Sequence, residues 1–207
     1  MKNILEVCLS PDLGGLEIHV KDLTKFLGVK AILNPKGKVK ELFTKEYINF
    51  ETIGRYSFIK LAQIIDENKI DVVHINWTKD IPIAVLAKLI SKQKPKIVQT
   101  RNMNMTRFKD DFYHKFLYKN ISTIVGISTK VSEQLNKFIP QDVRPKIITW
   151  YSGVPKPILI DENRKKELKD SFGIKDEFIV CIVARIHQQK GQHIVLEAVE
   201  KLRNDGI

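Results

Sequence analysis

Asn3-Ile4-Leu5-Glu6-Val7-Cys8-Leu9 is followed after a short loop by Gly14-Gly15-Leu16-Glu17-Ile18-His19-Val20, and then by Val29-Lys30-Ala31-Ile32-Leu33. The first and third pieces are short apolar runs, the pattern of strands buried on both faces. Between them Leu16, Val20, Leu23 and Leu27 recur at spacings of four, three and four. That puts one apolar stripe on a helix whose other side carries Lys21 and Lys25. Strand, amphipathic helix and strand make a βαβ crossover, which requires parallel neighbours.

The alternation continues outward from this unit. Apolar runs at 49–53, 70–75, 96–100, 123–127 and 146–150 read as further strands. Helical patterns at 58–68, 82–91, 108–119 and 129–138 separate them, the last opening with Ser128 as N-cap. Gly153, Pro155 and Pro157 then disfavour helix and suit a connector. Beyond it come a charged helix at 164–172, an apolar run at 178–184 that reads as a strand, and a helix with the stripe Val195, Ala198, Val199 and Leu202. The expected architecture is α/β. Residues 1–155 form a Rossmann-like parallel sheet with helices on both faces, and residues 156–207 form a linker and the first βα unit of a second such domain.

Composition sets the class. At 207 residues, 43% hydrophobic and 29% charged, the chain buries a sizeable core and is too apolar for disorder. A net charge of +11 asks for an anionic partner, and nucleic acid, anionic lipid and phosphorylated substrates all qualify on charge alone. No aromatic-basic motif or recognition-helix signature supports nucleic acid. Cys8 and Cys181 each lie inside an apolar run, where a free thiol acts as a small hydrophobe, so no disulfide is expected. No signal-peptide core and no apolar run of the roughly 18 residues needed to span a membrane is present, which makes the cytoplasm the expected address. No His/Cys cluster has metal-ligand spacing, and no metal is expected.

In open parallel sheets ligands bind beyond the carboxyl ends of the strands, where helix N-termini present free N–H groups. Two places here have that design. Pro11-Asp12-Leu13-Gly14-Gly15 joins the first strand to the first helix, and paired glycines permit close approach of a ligand; a plain strand-to-helix turn fits the same residues. Ala184-Arg185-Ile186-His187-Gln188-Gln189-Lys190-Gly191 leads into the last helix, where a guanidinium and an ammonium beside a helix N-terminus can grip a diphosphate; surface cations in a loop fit the same residues.

The run from Val183 to Gly191, continued by Ile194-Val195-Leu196-Glu197-Ala198, resembles the second-domain entry motif of the retaining family-4 glycosyltransferases, G/A-R-L-x-x-x-K-G followed by an l-l-x-A helix. Gly14-Gly15-Leu16-Glu17-Ile18-His19-Val20 resembles that family's G-G-x-E-x-x-V loop, and Asp71-Val72-Val73-His74 its D-V-V-H strand. Val125-Gly126-Ile127-Ser128 and Tyr151-Ser152-Gly153-Val154 are similar to its i-a-v-S element and y-N-G-v/i linker. Thr100-Arg101-Asn102-Met103, with the segment from Lys109 to Tyr118, is similar to a pattern of bacterial lipopolysaccharide-type transferases.

The resemblance implies a GT-B fold, with acceptor mainly on the first domain and nucleotide-sugar mainly on the second. It implies transfer of a hexose-type sugar from a nucleotide-diphospho-sugar to a glycan or lipid-linked acceptor in cell-surface polysaccharide or lipopolysaccharide synthesis. It puts Gly14, Gly15, Arg185 and Lys190 at the donor, in one inter-domain cleft, Glu17 and Arg101 on the acceptor side, and His74 and Asn102 at the catalytic centre. Neutralising the leaving diphosphate with cations needs no metal or other cofactor.

Asn102 stands where the family often has His, which keeps hydrogen bonding to the sugar but not proton transfer. Asn76 replaces the second His of H-x-H, and the family's E-x7-E segment is expected beyond Ile207. His74 suits acceptor contact and a hydrogen-bonded core role alike, and Glu17 also suits electrostatic capping of its helix. His19, His114 and His193 read as packing or surface residues. Phe108, Phe112 and Phe116, spaced by four among Lys109, Lys115 and Lys119, suit equally an interfacial helix touching the anionic inner face of the membrane and a core helix with a solvated edge. A nucleotide-sugar epimerase of the same fold and a non-catalytic nucleotide-binding or anion-binding Rossmann domain are the alternatives. The dinucleotide fingerprint Gly-x-Gly-x-x-Gly is incomplete. The 207 residues alone are expected to transfer no sugar.

Overall fold

The computed structural model describes residues 2–153, 156–175, 177–184 and 186–206. The chain divides into two compact units, Met1–Val154 and Pro155–Ile207.

The first unit holds a seven-stranded sheet built from β1 (Ile4–Cys8), β2 (Lys30–Leu33), β3 (Phe50–Thr52), β4 (Val72–Ile75), β5 (Lys96–Arg101), β6 (Thr123–Gly126) and β7 (Lys146–Thr149). The order is β3-β2-β1-β4-β5-β6-β7 and every pairing is parallel. Helices α1 (Gly15–Leu27), α2 (Lys40–Lys45), α3 (Phe58–Glu67), α4 (Ile81–Ile90), α5 (Phe112–Lys119) and α6 (Thr129–Phe138) connect the strands. This is the expected Rossmann-like sheet.

β1 shows why the sequence folds this way. Leu5, Val7 and Leu9 alternate onto one face, where they join Val73, Ile75, Ile97 and Ile124 beneath α3, α4 and α6. Cys8 turns to the opposite face with Val20 of α1, Ala31 and Leu33 of β2, and Phe43 of α2. Burying each aliphatic side chain is worth about 1.5–3 kcal/mol, so both faces of the strand hold it in register. α1 stops at Gly28, whose φ of 63° is left-handed and suits a residue without a Cβ. Gly126 is required for space: a Cβ there would meet the Ser132 hydroxyl at 2.3 Å.

The position of β1 in the sheet also locates the crevice. The chain steps outward through β2 and β3 on one side of β1, then returns to place β4 on the other. The connections leaving the carboxyl ends of β1 and β4 therefore diverge, opening the cleft in which such folds bind ligands.

The helix expected over 108–119 begins only at Phe112. Asp111 accepts a hydrogen bond from the His114 N–H at 3.0 Å and caps the helix there. Phe108 thus leaves the helical face expected to carry it and packs edge-on against Phe138, with centroids 5.1 Å apart. α2 was not anticipated; its six residues are too few to show a helical period.

The second unit contains α7 (Glu162–Ser171), a 3-10 turn at Gln188–Lys190 and α8 (Gln192–Asn204). Asp161 caps α7 by accepting from the Arg164 N–H at 2.7 Å. The strand expected over 178–184 is not formed. A strand exists only through ladder hydrogen bonds, and among the described residues of this unit no second strand offers them. Its alternation survives nonetheless: Phe178, Val180 and Ile182 line an apolar groove with Val195, Leu196 and Val199 of α8.

Candidate active site

Glu6 is an acid in the middle of an apolar strand, and it is fully buried. The β1–β4 register sets it opposite His74. His74 Nδ1 lies 2.7 Å from Glu6 Oε1, within hydrogen-bond distance. His74 Nε2 lies 2.8 Å from the Thr100 hydroxyl on β5. The Asn76 amide donates to the second Glu6 oxygen at 3.2 Å. One polar chain, Asn76–Glu6–His74–Thr100, thereby crosses the three central strands just below their carboxyl ends.

The chain leaves some groups unmatched. Asn76 Oδ1, Asn102 Nδ2 and Asp80 Oδ1 are buried with no hydrogen-bond partner, as is Gln99 Nε2. A buried orphan costs about 1–3 kcal/mol, and three of the four, on Asn76, Asp80 and Asn102, lie just past the carboxyl ends of β4 and β5. Asn102 directly follows β5, and Asp80 opens α4 after the β4 loop. Asp80 does not cap α4 through its side chain; it accepts instead from the Leu9 N–H at 2.9 Å, tying that loop to the end of β1. Burial pushes the Asp80 carboxyl up to about 7, against the opposing effects of the Leu9 N–H and the Arg55 charge. Burial likewise pushes the Cys8 thiol up to about 12.

Gly14 and Gly15 follow at the start of α1. Gly14 is extended, with φ −161° and ψ −165°, so its backbone does not need glycine. A Cβ on Gly15 would meet nothing within 4 Å, and one on Gly14 only Glu17 Oε2 at 3.4 Å. Neither backbone strain nor protein packing demands glycine at 15. Glu17 lies buried in the first turn of α1, on the side favoured by the helix dipole.

Arg101 ends β5 and holds the turn that follows. Its guanidinium donates to Met103 O at 2.8 Å, Asn104 O at 3.0 Å and the Thr78 hydroxyl at 2.5 Å. All three acceptors are neutral.

The structure thus gathers Gly14, Gly15, Glu17, His74, Arg101 and Asn102 at the carboxyl edge of one sheet. Sequence reasoning missed Glu6, Thr100 and Asp80; the signal for Glu6 was the carboxylate within Ile4-Leu5-Glu6-Val7-Cys8. Lys190 sits exposed in the 3-10 turn of the second unit. Arg185 lies outside the described residues. Among the described residues, no three His, Cys, Asp or Glu side chains are grouped to hold a metal ion, and no helix is long and apolar enough to cross a membrane.

Comparison with known proteins adds three findings. The model of the family described as glycosyl transferase 4-like matches residues 6–129. Similar solved structures include the Anabaena protein HepE in complex with UDP and glucose, with a TM-score of 0.77 at 18% identity over 97% of this chain and 58% of that one. A glycosyltransferase from Rickettsia africae gives 0.73 at 21% identity, over 98% and 58%. The lipopolysaccharide outer core galactosyltransferase WaaB gives 0.57 at 15%, over 77% and 48%. The chain therefore spans less than two thirds of the length of these proteins, and the likeness at such identities establishes a shared fold. No curated protein matches the chain.

Proposed function

The chain belongs to the glycosyl transferase 4-like family, and from that premise we propose that it supplies the acceptor-side domain of a retaining GT-B sugar transferase. The donor is a nucleotide-diphospho-sugar of the hexose type. The acceptor is a glycan or lipid-linked glycan of cell-surface polysaccharide or lipopolysaccharide. One observation carries this reading: the family match over 6–129 covers the strands whose carboxyl ends form the crevice, with its buried, unmatched polar atoms.

The geometry supports roles for Gly15, Asn102 and His74, and the family resemblance supplies those of Glu17, Arg101, Arg185 and Lys190. The open space over Gly15 suits the close approach of a diphosphate or sugar at a helix N-terminus. Asn102, whose buried Nδ2 has no protein partner, donates to a sugar hydroxyl. His74 has both ring nitrogens engaged, so we assign it to orienting Thr100 and, through Glu6, Asn76. Glu17 and Arg101 face the acceptor. Arg185 and Lys190, by the family resemblance, neutralise the leaving diphosphate, which dispenses with a metal. The complete enzyme works in the cytoplasm, at the inner face of the membrane.

The 207 residues by themselves turn over no donor, because a nucleoside pocket needs a second sheet. The test is titration of the chain with a panel of nucleotide-sugars, with NAD and with DNA at two salt concentrations, alongside an assay for released nucleoside diphosphate. Without that pocket we expect nucleotide-sugars to bind only weakly, still in preference to NAD and DNA, and without turnover. Tighter binding of NAD or DNA would overturn the transferase reading. Release near the roughly 10 per second of a typical enzyme would overturn the division of labour.

A further inference from the structure

Four cations from separate segments converge on one cavity of about 280 Å³: Arg55, Lys79, Arg101 and Lys109. Arg101 spends its donors on neutral oxygens, and Lys109 Nζ reaches only the His114 ring, at 3.4 Å. Arg55 and Lys79 lie over the Trp77 ring, 5.3 and 5.2 Å from its centroid. Among the described residues none of the four makes an ion pair within 4 Å. Two acids act on them at a distance, Asp80 on Arg55 and Asp111 on Lys109, but neither forms an ion pair with them within 4 Å. Asp111 is held by His114 at 2.5 Å, and Asp80 is buried against Leu9. Burial, with the nearby Arg107 and Arg101 charges, pushes the Lys109 ammonium below its ordinary range. Like charges gathered with no acid in direct ion-pair contact are costly to hold together, and an arriving anion lowers that cost.

A second cavity of about 260 Å³ adjoins the first and shares Arg55, Lys79, Pro82 and Tyr113 with it. Its remaining wall is mainly apolar, with Phe58, Ile83 and Leu86. Of its lining residues, Tyr56 and Leu86 stand exposed. A charged chamber opening into an apolar one matches a molecule with the same two ends.

We propose that this paired cavity is the acceptor subsite, holding the phosphate of a phosphorylated lipid among Arg55, Lys79, Arg101 and Lys109 while the lipid chain leaves along Phe58, Ile83 and Leu86. This rests on the transferase reading only for the word acceptor; the binding site itself stands on the geometry. A phosphate takes charge-assisted bonds from both guanidinium and ammonium donors. An uncharged glycan would leave the four cations facing one another.

The experiment measures binding of the 207-residue chain to a short isoprenyl monophosphate below its micellar concentration, to the matching isoprenol, and to inorganic phosphate. The isoprenyl phosphate is expected to bind at least about tenfold more tightly than either fragment, because each occupies only one chamber. Lys109→Gln should weaken both phosphate-bearing probes by about tenfold, the magnitude of one lost charge-assisted bond. Leu86→Gln should weaken the isoprenyl phosphate alone, by about threefold or more. Thermal melting checks that each variant folds, and Lys79→Gln, on an exposed side chain, repeats the charge test should Lys109→Gln unfold.

Equal affinity for isoprenol and isoprenyl phosphate would overturn the anion chamber. Equal affinity for inorganic phosphate would overturn the lipid chamber. None of these readouts depends on sugar transfer. Selective isoprenyl phosphate binding together with tighter binding of NAD or DNA than of nucleotide-sugars would sink the transferase reading and leave this site standing; the reverse pattern would sink this site alone.

Discussion

Residues 4–8 and residues 178–182 are both apolar runs of strand-like composition, one in each unit. In β1, Leu5, Val7 and Cys8 have no exposed surface, whereas Phe178 is 94% exposed. The difference is not in the side chains. β1 has β2 and β4 on either side and helices over both faces, and the run at 178–184 has only one face of α8. No described residue of 156–206 is buried. Apolar composition sets the tendency to form a strand, and hydrogen-bonded neighbours decide whether one forms.

The largest effect that sharpens this contrast is core truncation. Leu5→Ala or Ile97→Ala, each at a fully buried site, should cost about 2–5 kcal/mol in chemical denaturation. Leu196→Ala, at a residue 70% exposed in α8, should stay within about 0.5 kcal/mol. Comparable losses at both places would mean that the second unit has a core of its own.

A buried ionisable group gives the next effect. The Asp80 carboxyl sits at about 7 in the fold against about 3.9 in an unfolded chain. The folded state therefore holds the proton more tightly, and the stability this confers is complete below about pH 4 and lost as pH rises toward 7. Every tenfold difference in proton affinity between the two states is worth about 1.4 kcal/mol. Asp80→Asn keeps an acceptor for the Leu9 N–H and removes the titration. Denaturation from pH 4 to 8 should show wild type losing stability relative to this variant as pH rises; parallel curves would contradict the assigned burial.

The smallest effect is chemical. Cys8 is buried with its thiol pushed up to about 12, and Cys181 is free and exposed. Alkylation of the native chain at pH 8 should label Cys181 within the mixing period and Cys8 only after unfolding. Mass spectrometry of the digested product distinguishes the two.

How much of this was legible in sequence follows from how local each feature is. Six of the seven strands of the first unit announced themselves through Val and Ile content, β3 being the exception with Phe50-Glu51-Thr52, and α1 through its apolar stripe and α6 through its Ser128 cap. Glu6 could be noticed as an acid among aliphatics. Its partner His74, however, lies 68 residues away, and Thr100 a further 26 beyond that, so their meeting depends on the β1–β4 and β4–β5 registers. The cationic chamber was equally hidden, because Arg55, Lys79 and Lys109 stand in separate connections and each alone resembles a solvated surface charge. The reading failed in the opposite direction at 178–184, where a good local pattern lacks the non-local partner it needs. It also overran the start of α5, where the Asp111 cap outweighed the spacing of Phe108, Phe112 and Phe116.

The claim that the first unit alone carries a closed core, and with it the crevice, is tested most directly by site-resolved native-state hydrogen exchange on the 207-residue chain. Amides of β1, β4 and β5 should exchange only through global unfolding, while those of 178–184 and α8 should exchange through local opening that costs little. Protection at 178–184 equal to that of β1 would contradict the account.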